Sequence, residues 1–183
     1  MSFSDKARNR DQAIEIRSGG ARLYPELLSR AEQENLRDVI RRQIEKAPLF
    51  NPVMPRTGKP FSVRMTNLGR TGWVSDKSGY RYQSLHPVTG QRWPDIPEVL
   101  LELWAIVAPE ANQQPDACLV NYYSDSAKMG LHRDEDENDL TQPVVSVSLG
   151  DEALFRLGGP DRKDKTESFR LRSGDVLVLT GRD

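Results

Sequence analysis

His132 and Asp134 are two potential metal ligands separated by a single residue. In an extended segment, side chains two residues apart point to the same side, so this imidazole and this carboxylate can bind one metal ion. With a distant third histidine, such a pair forms a facial triad that leaves positions open on iron(II) for a bidentate 2-oxo acid and dioxygen. The pair therefore favours oxygenase chemistry over hydrolysis.

Asn121 and Tyr123 lie eleven and nine residues before His132. They occupy alternate positions of a predicted strand, so both can hydrogen-bond a carboxylate in a pocket beside the metal. An ordinary strand face would show the same pattern, and a histidine in a charged loop is often only solvated. The rest of the sequence has to decide between these interpretations.

Two helices and a run of strands are predicted around these residues. Helical spacing of apolar residues predicts a helix over Leu23 to Ala47, ended by Pro48, and a second over Glu98 to Val107. The strands, which turn residues separate, are predicted over Ala117 to Tyr123, Pro143 to Leu149, Ala153 to Leu157, Ser168 to Leu171 and Asp175 to Thr180. With helices first and antiparallel strands after them, we expect an α+β, mainly β protein: a double-stranded β-helix, or jelly roll, with N-terminal buttressing helices.

A polar, glycine-rich and aromatic tract lies between the two helices, within about residues 56–93. Alternation in Gly79 to Gln83 predicts a hairpin outside the main sheets, and we interpret the tract as a lid. The 183 residues, 37% of them hydrophobic, fit one domain over residues 1–183, with the metal and co-substrate core over about residues 115–183.

Charge is segregated along the chain although the net charge is only −1. Five acids and no base lie between Asp134 and Asp139. The lid tract holds one acid, Asp76, and seven basic residues: Arg56, Lys59, Arg64, Arg70, Lys77, Arg81 and Arg92. The basic lid tract is therefore suited to bind phosphates, and the acidic segment is suited to bind a cation.

Apolar runs in the sequence are far shorter than a membrane span, and the polar N-terminus lacks the apolar region of a signal peptide. We expect a cytoplasmic protein without a membrane partner, and a monomer. The single cysteine, Cys118, cannot form an internal disulfide and is predicted to be a small buried hydrophobe in a strand.

Three blocks of sequence resemble the AlkB family of iron(II)/2-oxoglutarate-dependent dioxygenases in order and spacing. The blocks are Pro115 to Tyr123, Leu131 to Glu137 and Pro143 to Gly150. The resemblance extends back to Met65 to Gly69, Gly72-Trp73 and Gly79 to Tyr82, and forward to Gly158-Gly159 and Gly174 to Val176. It thus covers almost everything after the first helix.

The resemblance implies specific roles for eight residues. His132 and Asp134 would be iron(II) ligands, and Asn121 and Tyr123 would donate hydrogen bonds to 2-oxoglutarate, with dioxygen as the second co-substrate. Trp73 and Tyr80 match base-contacting lid residues, Asp136 matches an acid that contacts the alkylated base, and Arg162 matches a residue near the damaged nucleotide. The alternatives are core positions for the two rings and solvated loop positions for Asp136 and Arg162.

The implied activity is oxidative demethylation of N-alkylated bases such as N1-methyladenine and N3-methylcytosine. Formaldehyde is released while 2-oxoglutarate becomes succinate and CO2. The implied partner is nucleic acid with alkylated bases, single-stranded DNA above all, with RNA possible. Two alternatives stay open: a 2-oxoglutarate oxygenase with a different substrate, and a catalytically inactive nucleic-acid-binding relative.

One departure from the family pattern concerns the end of the sequence. A distal metal-binding histidine and two arginines should follow the segment from Gly174 to Thr180, but the chain ends at Asp183. We expect that the chain is C-terminally incomplete, a natural truncation being the alternative, and this leaves open the activity of the 183 residues by themselves. The other histidine, His86, matches no ligand position and is predicted to be structural or solvated.

Overall fold

A computed structural model of the chain describes residues 13–16, 20–124, 126–132, 139–159, 161 and 163–179. The elements within these residues are β1 (Ile14–Ile16), β2 (Ala21–Tyr24), α1 (Arg30–Lys46), β3 (Arg64–Gly69), β4 (Gly72–Asp76), β5 (Gly79–Gln83), α2 (Glu98–Val107), β6 (Ala117–Tyr122), β7 (Val144–Val147), β8 (Ala153–Leu157), β9 (Glu167–Leu171) and β10 (Val176–Leu179). The chain divides into two compact units. The first comprises Met1–Arg37, Val99–Gln114 and Glu137–Asp183, and the second comprises Asp38–Glu98 and Pro115–Asp136.

Helix α1 begins at Arg30, so the prediction of a helix from Leu23 was wrong at its N-terminal end. Leu23 lies in strand β2 instead. The start of the helix is fixed by a capping box, in which the Glu32 carboxylate accepts hydrogen bonds from the backbone N–H of Ser29 (2.8 Å) and from its hydroxyl (2.5 Å). The helix ends at Lys46, two residues before Pro48, as predicted from the proline.

The first unit is built on an antiparallel four-stranded sheet in the order β1-β2-β10-β7. Strand β10 lies between β2 and β7, and its residues Val176, Leu177 and Val178 are completely buried. A run of consecutive buried apolar residues is typical of a central strand covered on both faces. Strands β8 and β9 form a separate antiparallel pair. The predicted strands of this unit are therefore confirmed, with small shifts at their ends.

The second unit contains two antiparallel pairs, β3 with β6 and β4 with β5. The β4–β5 pair is the hairpin predicted from the alternation in Gly79 to Gln83. Strand β3 was not predicted, although it lies within the supposed lid tract and pairs along its whole length with β6. Five strands precede α2, so the expectation that helices come before strands was also wrong.

Helices long and apolar enough to cross a membrane do not occur among the residues that the structure describes.

His86 was predicted to be structural or solvated, and it is a structural residue of the second unit. Its side chain is 2% exposed. Nδ1 accepts hydrogen bonds from the backbone N–H groups of Val88 and Thr89, both at 3.1 Å, so Nε2 carries the proton and donates it to the carbonyl of Pro48 at 2.7 Å. The ring also packs against Trp93, with 5.0 Å between ring centroids. Because both ring nitrogens are engaged by backbone groups, His86 is not available as a metal ligand.

Replacement of His86 by leucine should lower the free energy of unfolding by about 2–4 kcal/mol, because it removes a buried ring and leaves the N–H groups of Val88 and Thr89 and the carbonyl of Pro48 without their side-chain partner. Urea denaturation followed by circular dichroism measures the change. The matched control is Val88→Ala in the same turn, where the side chain is 76% exposed and a change within about 0.5 kcal/mol is expected. Equal losses in the two variants would contradict the structural role.

Candidate metal and co-substrate site

Strand β6 carries the two residues predicted to hold the co-substrate. Asn121 pairs with Met65 of β3, and Tyr123 follows the last residue of the strand, so the two keep alternate positions. The side chain of Asn121 is exposed and that of Tyr123 is half-exposed. Within the described part of the chain, neither side chain has a hydrogen-bond partner. Both are thus placed to donate to a ligand.

The phenol of Tyr123 keeps its proton at neutral pH. Partial burial raises the pKa of Tyr123 above its ordinary value of 10.0, because the charged phenolate is poorly solvated there. A protonated phenol donates a hydrogen bond to a carboxylate without adding negative charge beside it. This suits the role predicted for Tyr123 toward a 2-oxo dicarboxylic acid.

His132 is exposed, and its tautomer is set by the backbone. Its Nδ1 lies 2.8 Å from the carbonyl oxygen of Gly130, which can only accept, so Nδ1 carries the proton. In the neutral ring, Nε2 then carries the lone pair. Metal-binding histidines commonly donate their second ring nitrogen to a backbone carbonyl in this way, which orients the ring. The donor chemistry of His132 fits an iron ligand.

The segment that leads to His132 is tied to the start of β3 by one hydroxyl. Ser62 accepts a hydrogen bond from the backbone N–H of Lys128 and donates one to the carbonyl of the same residue, both at 3.1 Å. A turn closed by the Ala127 N–H and the Ser124 carbonyl, at 2.8 Å, precedes this contact. No sequence motif marks Ser62, because its partners are backbone atoms more than sixty residues away.

Asp134, Asp136 and Arg162 lie outside the described residues. Their roles as iron ligand, base-contacting acid and nucleotide-contacting arginine therefore stay predictions. Among the residues that are described, no three histidine, cysteine or acidic side chains come together as a metal cluster.

The two predicted base-contacting rings are brought together by the register of the β4–β5 hairpin. Ser75 pairs with Tyr80 and Trp73 with Tyr82, so Trp73 and Tyr80 are diagonal neighbours on one face. Their rings are stacked, with centroids 5.6 Å apart and an interplanar angle of 18°. Phe61 meets Trp73 edge to face at 6.2 Å. Tyr80 is 48% exposed, which argues against a core position for this ring.

The opposite face of the hairpin carries an ion pair. Arg81 donates two hydrogen bonds to the carboxylate of Asp76, at 2.7 and 3.0 Å. The Arg81 guanidinium, helped by the backbone N–H of Ser78, lowers the pKa of Asp76 from 3.8 to about 2. Asp76 is the one acid of the lid tract, and it is paired with Arg81. The tract therefore contains no acid to offset the charge of its other six basic residues. Of these six, Arg64 lies over the ring of Tyr122 at 5.9 Å.

Comparison with known proteins identifies the family of the chain. Residues 20–183 match the 2OG-Fe(II) oxygenase superfamily. An AlkB homologue of Caulobacter vibrioides, described as an alpha-ketoglutarate-dependent dioxygenase, is 50% identical over 88% of this chain and 73% of its own length. The alpha-ketoglutarate-dependent dioxygenase AlkB of Escherichia coli K12 is 37% identical over 90% of this chain and 76% of its own.

Two further relatives bear on substrate and fold. The DNA N(6)-methyladenine demethylase ALKBH1C of Arabidopsis thaliana is 34% identical over 66% of this chain and 30% of its own length. The structure of OsALKBH1 superposes with a TM-score of 0.71 at 30% identity, over 92% of this chain and 82% of that one. The chain belongs to the AlkB family of Fe(II)/2-oxoglutarate-dependent dioxygenases, which confirms the resemblance, the jelly-roll fold class and the enzyme class expected from the sequence.

The ion pair of the hairpin yields a testable titration. Because the folded-state pKa of Asp76 lies below its ordinary value, the pair stabilises the hairpin above pH 3.8, and this stabilisation is lost as the pH falls through about 2. Arg81→Gln should raise the pKa of Asp76 toward 3.8, as measured by NMR titration of its carboxyl carbon.

Lys77→Gln is the control for that titration, since it removes a neighbouring charge but no hydrogen bond to Asp76. The pKa should then stay close to 2. The same Asp76 pKa in both variants would show that the ion pair does not set it.

Proposed function

We propose that this dioxygenase removes methyl groups oxidatively from N-alkylated nucleic-acid bases, with N1-methyladenine and N3-methylcytosine as substrates. The observation that supports this most is the stacked pair Trp73 and Tyr80 on a hairpin whose strand β4 contacts both β3 and β6. A half-exposed aromatic surface thus belongs to the same unit as the co-substrate strand. A base turned out of its own stack needs such a flat surface to replace the stacking that it loses.

Iron(II) would be held by His132, through Nε2, and by Asp134. When bound, the metal supplies the oxidation of the methyl group by dioxygen, coupled to decarboxylation of 2-oxoglutarate. The overall reaction consumes one methylated base, one dioxygen and one 2-oxoglutarate, and releases the unmodified base, formaldehyde, succinate and CO2. The Gly130 carbonyl keeps the proton on Nδ1 and so keeps the Nε2 lone pair directed away from the backbone.

Asn121 and Tyr123 would hold 2-oxoglutarate by donating hydrogen bonds to one of its carboxylates. The raised pKa of Tyr123 supports this role because the phenol remains a donor at the pH of the cell. A deprotonated phenol would repel the dianionic co-substrate instead.

The substrate side of the site would recognise charge as well as shape. Alkylation at N1 of adenine or N3 of cytosine makes the ring cationic, and the carboxylate of Asp136 favours such a ring over an unmodified one. Arg162 would lie near the damaged nucleotide. The exposed basic residues of the lid tract, among them Arg56, Lys59 and Lys77, would hold phosphates and position the strand without reading its sequence. Single-stranded DNA is the substrate that we favour, and RNA carries the same chemistry; the name of the Arabidopsis relative gives DNA without a strand form.

Incubation of the full chain with iron(II), 2-oxoglutarate and a single-stranded oligonucleotide carrying one N1-methyladenine should remove one methylene mass from the oligonucleotide. Mass spectrometry of the oligonucleotide and measurement of succinate report the two halves of the reaction. His132→Ala is the matched control and should abolish both changes. Succinate formation without loss of mass would mean that the oxygenase acts on a different substrate. Binding of the oligonucleotide without succinate would indicate an inactive binding protein.

A further inference from the structure

Asn67 makes two hydrogen bonds to the backbone of Trp73. The side-chain amide donates to the carbonyl of Trp73 at 3.0 Å, and its oxygen accepts from the N–H of the same residue at 3.1 Å. Asn67 lies in the middle of β3 and is completely buried. A buried amide that satisfies both groups of one residue fixes the position of that residue along its strand.

These two hydrogen bonds form a clamp on the edge of β4 that faces away from β5. The N–H and C=O of a strand residue leave the strand on the same edge, and in β4 the other edge is occupied by β5. At Trp73 the Asn67 side chain therefore takes the place of the peptide group that a third strand would offer. The side chain of Asn67 thus holds the backbone of Trp73 without a third strand paired to β4 at this position.

Gly72 provides the room for this clamp. A methyl group at Gly72 would lie 2.5 Å from Cβ of Asn67, 2.6 Å from its Cγ and 2.7 Å from Cε2 of Trp93. These distances are shorter than any real van der Waals contact, so even alanine would displace Asn67. Gly72 does not have a positive φ, so the requirement for glycine comes from close approach and not from backbone conformation.

The turn between β3 and β4 is held from the side of β6. The carbonyl of Asp116, the residue before β6, accepts hydrogen bonds from the N–H groups of Arg70 (2.9 Å) and Thr71 (3.3 Å). Gly69 has φ of 112°, and a methyl group there would lie 2.3 Å from the same carbonyl oxygen. The turn is held at its start by the Asp116 carbonyl, and Trp73, the second residue of β4, is held by Asn67.

We propose that Asn67 is a positioning residue for base recognition: it holds the main chain of Trp73 so that the Trp73–Tyr80 stack is formed before the base arrives. This inference rests on the proposed function, since it assigns the stack to a base. Preorganisation lowers the ordering cost of binding, so loss of the clamp weakens stacking on the base rather than binding of the phosphate backbone or of 2-oxoglutarate.

The test compares two single-stranded oligonucleotides, one with N1-methyladenine and one with an abasic site at the same position. Asn67→Leu should weaken binding of the methylated oligonucleotide about tenfold, within the range that one stacked base contributes, and leave binding of the abasic one unchanged. Affinity for 2-oxoglutarate, measured by isothermal titration calorimetry, should not change. Fluorescence anisotropy gives both oligonucleotide affinities.

Thr66→Val is the matched control for loss of a buried hydrogen bond. Thr66 is the neighbour of Asn67 in β3 and is equally buried, and its hydroxyl donates to the carbonyl of Ala47 at 2.9 Å without touching Trp73. It should lose stability as Asn67→Leu does, yet keep its preference for the methylated oligonucleotide. Gly72→Ala is an independent second variant that leaves Asn67 in the sequence and should reproduce the binding defect.

A double-mutant cycle with Trp73→Ala decides whether Asn67 acts through the ring. In the Trp73→Ala background, Asn67→Leu should cause no further loss of affinity. Additive losses, or equal weakening of both oligonucleotides, would overturn the positioning role. If the unmodified protein itself fails to prefer the methylated oligonucleotide over the abasic one, the proposed function fails and this inference with it. If that preference survives in both Asn67→Leu and Gly72→Ala, only the inference fails.

Discussion

Pairing of β3 with β6 is the constraint on which the second unit depends. Residues Met65 to Leu68 of β3 are buried on both faces, and two of them, Thr66 and Asn67, are polar. Buried polar side chains must find partners, and these two find backbone groups outside the pair, at Ala47 after α1 and at Trp73 in β4. Strand β6, which carries Asn121, is therefore linked through β3 to the residue after α1 and to β4.

In the proposed function, two recognition tasks use different parts of the second unit. Co-substrate recognition would use the end of β6, where Asn121 and Tyr123 are accessible, whereas base recognition would use the β4–β5 hairpin. Within the hairpin, alternation separates the functions again: Trp73 and Tyr80 share one face, and Asp76 and Arg81 pair on the other. The ion pair with Arg81 offsets the one acid of the lid tract, which leaves six basic residues in the tract that would face a negatively charged strand in the proposed function.

Strands with alternating or continuously apolar residues were predictable from sequence, and β8 was found with its observed bounds because turn residues flank it on both sides. Strand β3 was missed for a physical reason. A strand buried on both faces loses the alternation that marks strands, and the polar Thr66 and Asn67 make the segment resemble a loop. The start of α1 was misplaced because Leu23 also fits helical spacing, although Ser29 and Glu32 carry a capping-box pattern that marks the true start.

The two histidines show why residue type alone predicts a site only in part. Both rings hydrogen-bond a backbone carbonyl, but through opposite nitrogens: His86 donates from Nε2 to Pro48, and His132 donates from Nδ1 to Gly130. The Nδ1 of His86 is then occupied by the N–H groups of its own turn, which makes the ring part of the core. The local backbone of His132 instead engages Nδ1, so that in the neutral ring the lone pair lies on Nε2, the nitrogen farther from the main chain. The N–H groups of the turn after His86 thus make that imidazole part of the fold, whereas the carbonyl before His132 engages only Nδ1 and leaves, in the neutral ring, the lone pair on Nε2.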